Sequence, residues 1–172
     1  MNRDALRCGA AWLAAVVLGC AGGEPPAPAT APETGEVAEY SFGTIDGKLV
    51  TAEFLRGRVT VLLFITTFDL ASQAQAKRLE DLSRQHNPRI NALAVALEPP
   101  QNVELVRTFA QTVEIHYPVA MADSITLGGT GPWSAVRAVP TWVLLDKKGV
   151  IVSAFEGSMN PTELETWVGR AE

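Results

Sequence analysis

Val59-Thr60-Val61-Leu62-Leu63-Phe64-Ile65 is seven consecutive residues without a charge, dominated by β-branched and aliphatic side chains. A strand with one wet face alternates apolar and polar residues, so this unbroken run predicts a strand covered on both faces, at the centre of a sheet. A second run of the same kind, Asn91-Ala92-Leu93-Ala94-Val95-Ala96-Leu97, follows a segment from Ala71 to Gln85. In that segment Ala71, Ala74, Arg78, Leu79 and Leu82 recur at mostly helical spacing among good helix formers. Asn87-Pro88 ends this helix, and Val103, Val106, Phe109, Ala110 and Val113 mark a second amphipathic one. Strand, helix, strand, helix predicts an α/β fold with a parallel pair and a right-handed crossover.

The flanks complete the domain. Asp46-Gly47 is a turn signal between Ser41-Phe42-Gly43-Thr44-Ile45 and Lys48-Leu49-Val50-Thr51, which predicts a small hairpin within Val37 to Phe54. After an irregular stretch from Asp123 to Ala138, Thr141-Trp142-Val143-Leu144-Leu145-Asp146 and Val150-Ile151-Val152-Ser153-Ala154-Phe155 flank Lys147-Lys148-Gly149, a hairpin at the end of the sheet. Asn160-Pro161-Thr162-Glu163 supplies an N-cap, a proline at the first helical position and an acidic first turn for a last helix buried through Leu164, Trp167 and Val168.

The amino-terminal region reads differently. Arg3 and Arg7 precede an apolar run from Gly9 to Leu18 that ends in Gly19, the anatomy of a signal peptide over residues 1–19. That run is about half of the roughly 20 residues needed to cross a hydrocarbon core. Val17-Leu18-Gly19-Cys20 resembles the bacterial lipobox, which makes Cys20 the expected lipidation site and the anchor to a membrane. Each buried methylene of an acyl chain is worth about 0.8 kcal/mol, so several chains hold a protein permanently. Ala21, where lipoproteins kept at the inner membrane often carry Asp, favours the outer membrane by the same resemblance. Residues 20–36 are rich in Gly, Pro and Ala with no apolar periodicity, and are expected to be a disordered, partly extended tether at about 3.1 Å per residue.

The chain has two cysteines, Cys8 and Cys20, and none follows residue 20. Residues 37–172, the expected folded domain, therefore have no thiol for an internal disulfide, a cysteine nucleophile or a cysteine-containing metal site. With 14 basic and 19 acidic residues the chain has a net charge of -5, which offers no electrostatic basis for binding nucleic acid. His86 at a helix end and His116 in a turn have no second ligand at metal spacing, and both read as structural; no metal or cofactor is expected. Trp133, beside Gly131-Pro132, is exposed-looking and could line a groove, but is better read as a partly buried loop anchor.

Gly57-Arg58-Val59 entering a buried strand, Ile115-His116-Tyr117-Pro118-Val119, Val139-Pro140-Thr141, Leu145-Asp146 with Gly149, and Phe155-Glu156-Gly157 occur in an order and spacing that resembles the TlpA/ResA branch of the thioredoxin-like (redoxin) superfamily, over residues 37–172. The resemblance implies a thioredoxin-like fold, with a central mixed sheet flanked by helices and an N-terminal hairpin extension, and a family activity of thiol-disulfide exchange. It also exposes a departure. Where that family reads approximately Phe-Trp-Ala-Thr-Trp-Cys-x-x-Cys, this chain reads Phe64-Ile65-Thr66-Thr67-Phe68-Asp69-Leu70-Ala71-Ser72, so the cysteine positions fall on Asp69 and Ser72. Leu63 stands where thioredoxins often have a buried carboxylate.

Exchange begins with a thiolate attacking a disulfide sulfur and passes through a mixed disulfide that a second thiol resolves. Neither oxygen side chain can do this, so no catalytic residue is expected and Asp69 and Ser72 are a degenerate active site. A carboxylate at a helix N-terminus is nonetheless a well-placed anion, so Asp69 is expected to have a lowered pKa, and Ser72-x-x-Gln75 has the spacing of a capping box. By resemblance Val139-Pro140 is the family's cis-proline loop, whose preceding residue pairs with an extended substrate through main-chain groups that need no cysteine. Phe68, Asp69, Val139 and Pro140 are thus the candidate peptide-binding residues, and the expected partner is an extended segment of an envelope protein. The sequence leaves open an enzyme with non-thiol chemistry centred on Asp69 and a family-level oxidoreductase role.

Overall fold

The computed structural model describes residues 37–171. The expected signal peptide, the tether, Cys8 and the lipidation site Cys20 lie outside the described residues.

Strands β1 (Ser41–Gly43) and β2 (Leu49–Thr51) pair antiparallel around the Asp46-Gly47 turn, where Gly47 takes φ +77°. One helical turn, α1 (Ala52–Leu55), leads into β3 (Val59–Ile65), every residue of which is buried. Helix α2 (Leu70–His86) connects β3 to β4 (Ile90–Ala96), and α3 (Val103–Val113) connects β4 to a short β5 (Val119–Met121). A single turn, α4 (Ser124–Leu127), precedes β6 (Thr141–Leu145), β7 (Ile151–Glu156) and α5 (Pro161–Gly169).

The five main strands run in the order β5-β4-β3-β6-β7. β3, the uncharged run, is indeed central, parallel to β4 and antiparallel to β6, with Leu62 opposite Leu93 on one side and Val143 on the other. Both faces are covered because alternate β3 side chains enter two cores. Val61, Leu63 and Ile65 pack with Leu79, Phe109, Leu164 and Trp167 from helices α2, α3 and α5. Leu62 and Phe64 pack with Phe42 and Val50 of the hairpin and with Trp133. Trp133 is 2% exposed, with its ring 5.2 Å from Tyr40 and 5.4 Å from Phe64, so the exposed look of its sequence context is corrected and the anchor reading holds.

Two other local expectations change. Asp123 to Ala138 is less irregular than its sequence, since Asp123 caps α4 by accepting from the Thr126 N–H at 2.7 Å. Val119–Met121 is a strand, held at the edge of the sheet by β4 on one side and by the Thr44–Ala120 bridge to the hairpin on the other. Among the described residues no helix is long and apolar enough to cross a membrane.

Candidate functional site

The parallel pairing of β3 and β4 brings their carboxyl ends to one edge of the sheet, where Leu97 N–H donates to the Ile65 carbonyl at 2.8 Å. β6 runs the other way, so its entry lies at the same edge. With Phe64 opposite Thr141, the Val139–Pro140 bond lies just before the start of β6 at this edge. The carboxyl-end edge is where open α/β sheets bind ligands, because loops there leave the backbone ends of the strands accessible. Phe68, Asp69, Val139 and Pro140 are all gathered at this edge by topology.

Asp69 is the N-cap of α2. It has extended backbone, and its side chain accepts from Ala71 N–H at 3.2 Å through Oδ1 and from Ser72 N–H at 2.8 Å through Oδ2, satisfying two of the donors a helix start leaves open. Ser72 is fully buried and its hydroxyl donates to Asp69 Oδ2 at 2.8 Å, while accepting from Thr66 N–H at 3.4 Å. The expected Ser72-x-x-Gln75 capping box does not form. The helix starts three residues earlier than such a box requires, leaving Ser72 already inside the first turn, and buried Gln75 instead accepts from Met159 N–H at 3.1 Å. The Asp69 carboxyl is held below its ordinary value of 3.8 chiefly by the Ser72 hydroxyl; burial opposes this, and the Ser72 and Ala71 N–H groups each add a smaller lowering.

Phe68 and Leu70, on either side of Asp69, are 72% and 78% exposed. Across the edge, the Val139–Pro140 bond is cis, Pro140 is buried with its carbonyl accepting from Gly157 N–H at 2.8 Å, and Val139 is half-buried. Among the described residues the Val139 N–H and C=O have no hydrogen-bond partner.

Sequence reasoning missed Glu98. Leu63, at the position compared with a buried acid, is an ordinary core residue opposite Trp142, yet a buried carboxylate does lie beneath the site, entering from β4. Glu98 is 1% exposed; its Oε1 accepts from Thr67 N–H at 2.7 Å and from the Thr67 hydroxyl at 2.5 Å, and its Oε2 accepts from the Asn102 amide at 2.9 Å. These charge-assisted bonds fix the Thr66–Asp69 turn. The signal for it was a lone Glu directly after a buried strand and before Pro99-Pro100, a place where loops reach the carboxyl-end edge.

The histidines are engaged elsewhere. His86 Nε2 is 2.7 Å from Glu165 Oε2, tying α2 to α5, and His116 Nδ1 is 3.0 Å from buried Glu80 Oε1. Among the described residues no three His, Cys, Asp or Glu side chains converge in a way that could hold a metal.

No family model matches the chain. The thioredoxin-like protein YneN of Bacillus subtilis is 25% identical over 131 residues, covering 76% of this chain and 75% of that protein. The thiol-disulfide oxidoreductase ResA of Bacillus cereus is 22% identical over 133 residues, covering 77% and 75%. In sequence the chain is thus similar to thioredoxin-like proteins of the TlpA/ResA type. The fold agrees: a solved thiol:disulfide interchange protein of the thioredoxin family from Chlorobium tepidum superposes with a TM-score of 0.66 at 19% identity, over 84% of this chain and 97% of that one. The five-stranded mixed sheet with flanking helices and the N-terminal hairpin is this thioredoxin-like fold with its extension. At the start of α2 this chain carries oxygen side chains at Asp69 and Ser72, and those oxygens hydrogen-bond to each other.

Proposed function

We propose that the protein is a noncatalytic thioredoxin-like module of the cell envelope that binds an extended segment of another envelope protein. Lipid on Cys20 and the residue 20–36 tether hold it to a membrane, the outer one in preference, facing the periplasm. The observation that carries the reading is the closed pair of oxygen side chains at the redox positions, Asp69 Oδ2 and Ser72 Oγ, 2.8 Å apart. No thiol follows Cys20, so a mixed disulfide has no sulfur in the domain to form on.

Binding draws support from main-chain chemistry. A half-buried residue with both backbone groups unpartnered is equipped to pair with one residue of an added strand, and Val139 is such a residue. Non-thiol catalysis by Asp69 is the weaker reading, because a carboxylate occupied by three capping donors and held below its ordinary pKa is a poor general base.

Affinity capture from envelope extracts, with crosslinking at Val139, tests the binding reading. A partner crosslinked through one extended segment, and lost when Val139 is changed to Pro to remove its N–H, is the expected result. Crosslinks scattered over unrelated surfaces would refute it. Radiolabelled fatty acid on the wild-type chain and none on Cys20→Ser checks the anchor.

A further inference from the structure

The edge of the sheet opposite Asp69 gathers cations that the proposed function does not use. β3 and β4 begin there, with Val59 opposite Ile90, and β6 ends there, with Leu145 opposite Thr60. Contacts tie the loops of this edge together. Gly57 N–H donates to the Lys147 carbonyl at 2.8 Å, the Arg58 guanidinium donates to the Pro88 carbonyl at 3.2 Å, and the Arg56 side chain runs beside Gly149. Arg56, Arg58, Arg89, Lys147 and Lys148 are thereby held at one edge, and all five are exposed. The carboxylates of the same loops are fewer: Glu39, 2.6 Å from Arg56, exposed Glu53, and Asp146, whose Oδ1 accepts from Lys148 N–H at 2.8 Å. In a chain of net charge -5 this local surplus of positive charge runs against the overall balance.

Two further features say what such an edge meets. Phe54 is 78% exposed and lies in α1, whose Leu55 carbonyl accepts from the Asn91 amide at the start of β4 at 2.7 Å, so the ring stands out from a turn at this same edge. Basic side chains around an exposed aromatic ring suit the boundary of a bilayer, where phosphates attract the cations and the ring reaches the apolar layer. The second feature is where the chain enters the domain. Val37, the first described residue, bridges to Val150, and Ala38 N–H donates to the Gly149 carbonyl at 3.0 Å. The chain coming from Cys20 therefore joins the domain beside the Lys147-Lys148-Gly149 turn. A short flexible tether keeps its two ends at an effective concentration on the order of millimolar, at which weak attraction is enough.

We infer that the edge formed by Arg56, Arg58, Arg89, Lys147 and Lys148 docks the domain on an anionic phospholipid surface, with Phe54 inserted among the headgroups. The inference rests on the lipid-anchor part of the proposed function for its nearness to a membrane, and adds the face that meets it. β3 crosses the sheet between the two edges in seven residues, about 20 Å. Docking thus sets Asp69 and Val139 on the side away from the bilayer, where an extended segment can reach them.

The test uses the lipidated wild-type protein in vesicles of phosphatidylcholine alone or with about one third phosphatidylglycerol, and reads acetylation of each lysine by mass spectrometry. Lys147 and Lys148 are expected to react about fivefold more slowly in the phosphatidylglycerol vesicles, the attraction of one basic residue to an anionic surface. Lys77, bridged to Glu114 at 3.6 Å on α2, should react equally in both. Salt at about 0.5 M should remove the difference. Arg58→Glu with Arg89→Glu should remove it too, Arg58→Lys with Arg89→Lys should keep it, and Phe54→Ser should reduce it, each variant being folded by circular dichroism. Equal rates in the two vesicles, or a difference that survives Arg58→Glu with Arg89→Glu, would overturn the docking while leaving the anchor standing. Protection in detergent that grows with protein concentration would assign the edge to a second copy of the chain and overturn it as well. A wild-type chain whose mass shows no lipid on Cys20 would refute the anchor instead, and the same footprint on the full chain mixed with preformed vesicles then decides the edge by the same outcomes.

Discussion

Replacing Glu98 with Ala removes a carboxylate that is 1% exposed and leaves two donors of buried Thr67, its N–H and its hydroxyl, without acceptors. Hydrogen bonds to a charged group contribute about 1.5–3 kcal/mol each, so the two together set a range of about 3–6 kcal/mol. The lower end applies, because the substitution also relieves the cost of keeping a charge out of water. The Asn102 amide is half-buried and can turn to solvent, so its lost bond adds little. The expected loss is about 3 kcal/mol. With a urea slope of about 1.5 kcal/mol per molar, the unfolding midpoint falls by about 2 M at unchanged slope. Glu98→Gln keeps a carbonyl oxygen for Thr67 but loses the charge, and should lose about 1 kcal/mol. In native-state hydrogen exchange the Thr67 amide of Glu98→Ala should lose protection ahead of the β3 amides. A midpoint that moves by less than about 0.5 M, with Thr67 still protected, would refute the claim that this carboxylate holds the turn.

Other perturbations have equally definite expectations. Asp69→Ala removes the N-cap of α2 and should cost about 1 kcal/mol by the same denaturation, while Asp69→Asn should cost a few tenths. Because the folded-state pKa of Asp69 is depressed below 3.8, its stabilising contribution is complete above that value and is lost as the pH falls through the folded pKa; the gap between wild type and Asp69→Ala should therefore close on acidification below about pH 4 and stay constant from pH 5 to 7. Burial first and the Glu80 charge second push the Tyr117 hydroxyl well above 10, and burial with Glu39 does the same to Tyr40. Above pH 10 the unfolded chain releases these protons while the folded chain keeps them, so stability should fall with rising pH, and Tyr117→Phe should flatten that limb in alkaline titrations followed by circular dichroism.

Most of the fold was legible because its main elements carry their own periodicity. β3 and β4 are unbroken uncharged runs, and α2, α3 and α5 show apolar stripes with recognisable ends at Asn87-Pro88 and Asn160-Pro161. β5 was not legible as a strand, since three residues after Tyr117-Pro118 are too few to show a period and its identity comes from pairing with β4 and Thr44. Trp133 looked exposed beside Gly131-Pro132 because the rings that cover it, Tyr40 and Phe64, are distant in sequence. At the site, the substitutions at Asp69 and Ser72 were readable by alignment to a motif, and the cap at Asp69 by residue type. Which donors each oxygen serves was not: the serine joined the aspartate rather than Gln75, and Glu98 reached the turn from just past β4, 31 residues after Thr67.

Reduction of insulin by dithiothreitol, followed as turbidity, tests the loss of exchange chemistry most directly. The full-length chain with Cys8 and Cys20 changed to Ser should leave the rate at that of dithiothreitol alone, and Asp69→Cys with Ser72→Cys in the same background, which restores sulfur at the helix start, should raise it. Acceleration by the cysteine-free chain would contradict the account.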